Sequence, residues 1–167
     1  MLFMKALFIG RFQPFHKGHL MIIKNISKTY DQIIIGIGSS QYGHISENPF
    51  TSEERIEMIN KTLDRNDIKN YKIILIPDIH NPPKWVDHVK SIIKDFDVII
   101  TNNLFTKSLF LEKKYEVIDT PLYKKEIYSG KVIREKIKNG EKWEDLVPEE
   151  VERYIKRING INRLKKI

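Results

Sequence analysis

Apolar runs of strand length alternate with helix-period segments along most of this chain, and few folds accommodate that rhythm. Lys5 to Ile9 is a short apolar run that stops at Gly10. Leu20, Ile23, Lys24 and Ser27 follow at helical spacing. Gln32 to Ile37 is β-branched and closes in Gly36-Ile37-Gly38. Thr51-Ser52-Glu53-Glu54 has the form of a capping box, opening a helix whose apolar face is Ile56, Ile59 and Leu63. Tyr71 to Ile76 reads as a third strand ending at Pro77, and Trp85, Val89, Ile92 and Ile93 mark a third helix. A fourth strand is expected over Asp97 to Ile100, a helix over Leu104 to Lys113, and a fifth strand over Tyr115 to Ile118, stopped by Pro121. Ser129 to Asn139, closed by Gly140, and Pro148 to Ile158 read as two final helices. The expectation is α/β: one domain over 1–167, a doubly wound parallel sheet of Rossmann-like form with C-terminal helices.

Such sheets bind ligands at the carboxyl ends of their strands, near the point where strand order reverses. Composition narrows the chemistry. The chain has 167 residues and no cysteine, which excludes a disulfide scaffold, a thiolate zinc site and a cysteine nucleophile. No apolar run reaches the roughly 18 residues that span a membrane, and Met1 to Ile9 is too short for a signal sequence, so a cytoplasmic location without membrane attachment is expected. The net charge of +7 invites a nucleic-acid partner. Acids interleave with the lysines, as in Lys124-Lys125-Glu126, so a solvated surface is the better reading and no nucleic acid is expected. A basic surface also steers small anionic substrates.

The loop after the first strand reads Gly10-Arg11-Phe12-Gln13-Pro14-Phe15-His16-Lys17-Gly18-His19. Gly10 would permit a close turn, Pro14 stiffens the loop, and Gly18 would leave room for a nucleotide against a helix start. Helix N-termini offer free amides and a positive dipole end to phosphate. His16 and His19, three apart, would share one helical face and donate to polyphosphate oxygens. A second basic helix start is Tyr128-Ser129-Gly130-Lys131-Val132-Ile133-Arg134, with Ser129 as N-cap and Lys131 and Arg134 on one face. Two other phosphate motifs fail: Val132 replaces the hydroxyl residue of a P-loop, and Gln41 stands at the third glycine of a dinucleotide fingerprint.

Gly10 to His19 resembles the HxGH signature of the nucleotidyltransferase superfamily, and the longer string resembles the archaeal-type nicotinamide-mononucleotide adenylyltransferases. The resemblance extends through Ile35 to Gln41, Asn48 to Arg55, Trp85-Val86 and Gly140 to Pro148. It implies adenylyl transfer from ATP to nicotinamide mononucleotide (NMN), releasing pyrophosphate, with Mg2+ accompanying ATP and no dedicated metal ligands. His16, His19 and Arg11 would be catalytic. Gly10, Arg11, His16, Gly18, His19, Ser129, Lys131 and Arg134 would bind ATP. Phe12, Ile79, Asn81, Trp85 and Asn103 would contact the acceptor nucleotide, with the Trp85 ring stacked on the nicotinamide. A homo-oligomer, a hexamer by resemblance, is also implied.

Three departures stand out. Lys131 occupies the Thr position of the family's Ser-x-Thr-x-x-Arg pattern, Pro82 stands where the family has an Asn near the carboxamide, and Asn102-Asn103-Leu104 replaces a Gly-Asn-Pro. Other acceptors (phosphopantetheine, FMN or a cytidylyl-transfer substrate) keep the same chemistry, and a non-catalytic nucleotide-binding regulator would keep only the fold.

Overall fold

The computed structural model describes residues 2–101, 103–120 and 124–167; Met1, Asn102 and Pro121, named above, lie outside them. Five strands are joined by helices: β1 (Lys5–Gly10), α1 (Lys17–Ile26), β2 (Gln32–Ile37), α2 (Ser52–Arg65), β3 (Tyr71–Leu75), α3 (Pro82–Ile92), β4 (Val98–Ile100), α4 (Leu104–Glu112), β5 (Glu116–Ile118) and α5 (Gly130–Asn139). A short 3-10 turn at Glu144–Leu146 then leads to α6 (Glu149–Arg157) and α7 (Gly160–Lys166). The sheet order is β3-β2-β1-β4-β5, and every neighbouring pair is parallel. This is the doubly wound arrangement expected from the alternation. The order reverses between β1 and β4, so the loops after these two strands face each other across a crevice.

Period-two alternation sends side chains to both faces. Ala6, Phe8, Ile33, Ile35, Ile37, Val98 and Ile100 pack with buried residues of α1, α2, α5 and α6. Leu7, Ile34 and Ile99 pack with Val86 and Val89 of α3 and Phe110 of α4. Trp143 is buried in the first cluster.

The Thr51–Glu54 capping box forms as the sequence predicts, each residue's side chain bonding the other's backbone N–H. Gly140 ends α5 in the left-handed region, at φ 69°. Helix α7 is an addition to the expected elements. Asn159, at φ 57°, turns the chain after α6. Gly160 then passes so near Ile155 and Phe50 that a Cβ would lie 3.0 and 3.3 Å from their side chains. Arg163 of α7 donates to both carboxylate oxygens of Glu54, at 2.6 and 2.8 Å, and to Pro49 O at 3.1 Å. The C-terminus thereby clamps the start of α2.

Candidate functional site

The decapeptide after β1 curls over the carboxyl end of the sheet. Phe12 lies in the left-handed region, φ 54°, which folds its ring back into the core at 1% exposure. That ring fills the space a Cβ on Gly10 would need, at 3.0 Å. Gly10 itself has no left-handed φ, so its smallness accommodates the Phe12 ring rather than a tight turn. The Phe12 ring packs into the core and lines the first cleft described below. The Gln13–Pro14 bond is cis. Gln13 is buried and reads the Phe50 backbone in both directions, donating to its O at 2.8 Å and accepting from its N–H at 2.9 Å.

His16 is the N-cap of α1 rather than a residue within it, so the two histidines do not meet as helical neighbours. They form a capping box built from imidazoles: His16 Nδ1 accepts from His19 N–H at 3.3 Å, and His19 Nδ1 accepts from His16 N–H at 3.2 Å. The rings stack 3.5 Å apart at 20°, with Phe15 on the far side of His19 at 5.5 Å. An acceptor Nδ1 places the proton of each neutral ring on Nε2. Burial pushes the His16 pKa down to about 3. His19 presents more surface than His16, yet burial among Phe8, Phe12 and Phe15, and then the nearby His16, hold it well below the usual histidine range. Both rings are therefore neutral donors at physiological pH.

Gly18 lies against the His16 ring. A Cβ there would meet His16 Cε1 at 2.9 Å, His16 Nδ1 at 3.0 Å and Tyr128 Cβ at 3.0 Å. The missing side chain leaves room for the His16 ring, and Gly18 also lines the cleft described below.

Helix α5 closes the other wall. Ser129 caps it by accepting from Val132 N–H at 3.3 Å. Arg134 is buried, donates to Gln13 O at 2.8 Å and passes close over Gly130, where a Cβ would lie 3.0 Å from both Arg134 Nη1 and Gln13 O. Burial, then Arg11, lower its pKa. Glu47 stands 3.9 Å from both Arg11 and Arg134 and is mostly exposed. Arg11, His16, Gly18 and His19 thus meet Ser129, Lys131 and Arg134 around one cleft of about 420 Å3, with Asn103 at its rim. Asn103 also caps α4, accepting from Thr106 N–H at 2.9 Å.

The remaining expected residues lie around a second cleft of about 270 Å3, formed by the loop after β3 and the start of α4. Asn81 and Trp85 line it, with Asp78, His80, Pro82, Phe105, Thr106 and Leu109. Ile79 is exposed and lies in the same loop, outside the lining of the cleft. Trp85 is held edge-on against Phe110, 5.9 Å away at 90°. Asn103 at the first cleft and Thr106 at the second are joined by one hydrogen bond, so the start of α4 borders both.

Arg55 lacked any sequence signal for its role. It is fully buried and donates to five backbone carbonyls: Thr51, Arg11, Gly38, Ser39 and Tyr42. It ties the loops after β1 and β2 to α2. Burial, then Arg11, lower its pKa to about 10, so it remains a cation. Among the described residues, no group of three or more His, Cys, Asp or Glu side chains is placed to hold a metal ion, and no helix is long and apolar enough to cross a membrane.

Residues 7–136 match the family described as cytidylyltransferase-like. A nicotinamide-nucleotide adenylyltransferase of Methanococcus maripaludis is 51% identical over 164 residues, covering 98% of this chain and 95% of that protein. One from Thermoplasma volcanium is 47% identical over 163 residues, covering 98% and 92%. A solved structure of a bifunctional NMN adenylyltransferase/ADP ribose pyrophosphatase from Francisella tularensis, complexed with AMP and a manganese ion, superposes with a TM-score of 0.73 at 29% identity, over 87% of this chain. This chain spans 44% of the length of that bifunctional protein.

Proposed function

The chain belongs to the cytidylyltransferase-like family, among its nicotinamide-nucleotide adenylyltransferases, and we propose that it makes NAD and pyrophosphate from ATP and NMN at the cleft between β1 and α5. The acceptor's 5′-phosphate attacks the α-phosphorus of ATP in line. The bond from that phosphorus to the β-bridging oxygen breaks, and pyrophosphate leaves. The nucleophile is already an anion at neutral pH, so no general base or covalent intermediate is required. Catalysis is positioning and stabilisation of charge on the transferring group.

His16 and His19 supply Nε2–H donors to the α-phosphate and the leaving oxygens. Their neutrality keeps each Nδ1 an acceptor, which holds the rings in place before substrate arrives. Arg11 bridges the phosphates of the two substrates. Lys131 and Arg134, with the free amides of the α5 start beside Ser129, hold the departing pyrophosphate. Lys131 at the usual Thr position binds as a flexible point charge. A divalent cation such as Mg2+ enters as part of the ATP complex, carried by phosphate oxygens and water. The nicotinamide ring lies against Trp85 in the second cleft.

The observation that carries this reading is the pair of interlocked, neutral imidazoles facing a buried arginine across one cleft at the strand-order switch. The test is pyrophosphate release from Mg-ATP with NMN, FMN and phosphopantetheine as separate acceptors, with products separated by chromatography. NAD formed with NMN is the expected result. Turnover only with another acceptor overturns the substrate, and ATP binding without any turnover indicates a regulator.

A further inference from the structure

Two walls face the first cleft: the loop carrying Arg11, His16 and His19, and the start of α5 carrying Ser129, Lys131 and Arg134. The carbonyl oxygen of Gln13 lies where they meet. It accepts from Arg134 Nη1 at 2.8 Å. The α5 backbone passes so close that a Cβ on Gly130 would lie 3.0 Å from that oxygen and 3.4 Å from the carbonyl carbon. Resting on the assignment of Arg134 to the departing pyrophosphate, we infer that Gln13 is a positioning residue of the transfer. It sets the register of the pyrophosphate wall against the histidine wall, and acts through Arg134 rather than on substrate.

The side chain of the same residue fixes that carbonyl. Gln13 is 3% exposed, and its amide pairs with the Phe50 backbone in both directions, as two residues of adjacent strands exchange hydrogen bonds. Phe50 is held in its turn. It is fully buried, Gly160 packs against its ring, and the preceding carbonyl, Pro49 O, accepts from Arg163 at 3.1 Å. Both halves of the Gln13 amide are needed. A glutamate cannot donate to Phe50 O, and an apolar side chain pairs with neither group. Arg134 gains from such a fixed acceptor, because a guanidinium held by one N–H before ligand arrives keeps its other donors aimed and loses less freedom on binding. Glu47 does not supply this restraint, since it stands 3.9 Å from Nη2, beyond hydrogen-bond distance.

The test measures dissociation constants of magnesium pyrophosphate and of AMP by calorimetric titration, with thermal melts to show that each variant is folded. Gln13→Met is expected to weaken pyrophosphate about tenfold, the weight of one charge-assisted hydrogen bond put out of place, and to change AMP by less than about twofold. Arg134→Met is expected to weaken pyrophosphate by at least as much, and in that background Gln13→Met is expected to add less than about twofold. Gly130→Ala, whose methyl would press on both Gln13 O and Arg134 Nη1, is expected to show the same selective loss, and it decides the matter if Gln13→Met does not fold. Three results overturn the inference while leaving Arg134 as a ligand: unaltered pyrophosphate binding in either folded variant, an AMP loss as large as the pyrophosphate loss, or an undiminished effect of Gln13→Met in the Arg134→Met background. Pyrophosphate binding unchanged by Arg134→Met overturns that assignment, and the inference with it.

Discussion

Placing a single methyl group on Gly18 is expected to uncouple catalysis from substrate binding. The Cβ of Gly18→Ala would lie 2.9 Å from His16 Cε1 and 3.0 Å from Tyr128 Cβ, whereas carbon atoms in contact sit about 3.5–4.0 Å apart. Something must move by several tenths of an ångström. The His16 ring has little freedom to do so, because His19 stacks 3.5 Å behind it and Phe15 backs His19. Displacing His16 therefore shifts both imidazoles and opens their cap hydrogen bonds, already 3.2 and 3.3 Å long. Overpacking costs about 1–3 kcal/mol. The better helix propensity of alanine offsets up to about 1 kcal/mol of that. A net loss of about 1 kcal/mol corresponds to a fall of about 2–4 °C in Tm. Misplacing the donors by a fraction of an ångström is expected to lower kcat about a hundredfold. Pyrophosphate release measured against ATP concentration, together with thermal melting, separates the possibilities. A large kcat loss with a modest Tm change and little change in KM for ATP is expected. An unchanged kcat with a raised KM would mean that the space at Gly18 belongs to the nucleotide, refuting the packing argument.

Three further perturbations probe the surroundings. The His16 pKa lies near 3 against about 6.5 unfolded, so its contribution to stability is full above pH 6.5 and is lost as pH falls towards 3; His16→Asn, which keeps a capping oxygen, is expected to flatten the decline of Tm between pH 6.5 and 4 while lowering turnover, and an unaltered slope would contradict the assignment. Arg55→Lys leaves most of five inward-facing carbonyls unpaired and is expected to destabilise the fold by about 3 kcal/mol, read from denaturant melts; a loss under about 1 kcal/mol would show that those bonds contribute little. Glu47→Gln removes an exposed carboxylate 3.9 Å from Arg11 and Arg134 that competes with phosphate, and is expected to lower KM for ATP two- to threefold, about 0.5 kcal/mol; an increase would show that Glu47 assists binding.

The parallel sheet was legible because its signals are local. Gln32 to Ile37 is β-branched and bounded by glycine, and the observed strand has the same limits. Thr51 and Glu54 form their box because the reciprocal side-chain reach depends only on a three-residue spacing. Helix α7 was not legible: it is one short, basic segment whose helicity depends on Arg163 reaching Glu54, 109 positions earlier. Arg55 was hidden for the same reason, since no local pattern shows that carbonyls from three separate segments converge on one guanidinium. The histidines were legible as a motif but not as a cap, because imidazole Nδ1 replaces the oxygen that capping patterns are built on. Gly10 and Gly18 invited a ligand explanation, and only the fold reveals the rings of Phe12 and His16 in the spaces they leave.

The most direct measurement is the single-turnover rate of NAD formation from pre-bound Mg-ATP mixed with saturating NMN, in the wild type and in His19→Ala. A fall of about a hundredfold or more, with ATP affinity changed little, is the expected cost of removing one transition-state donor. A correctly folded variant that turns over within about threefold of the wild type would contradict the placement of adenylyl transfer at the paired histidines.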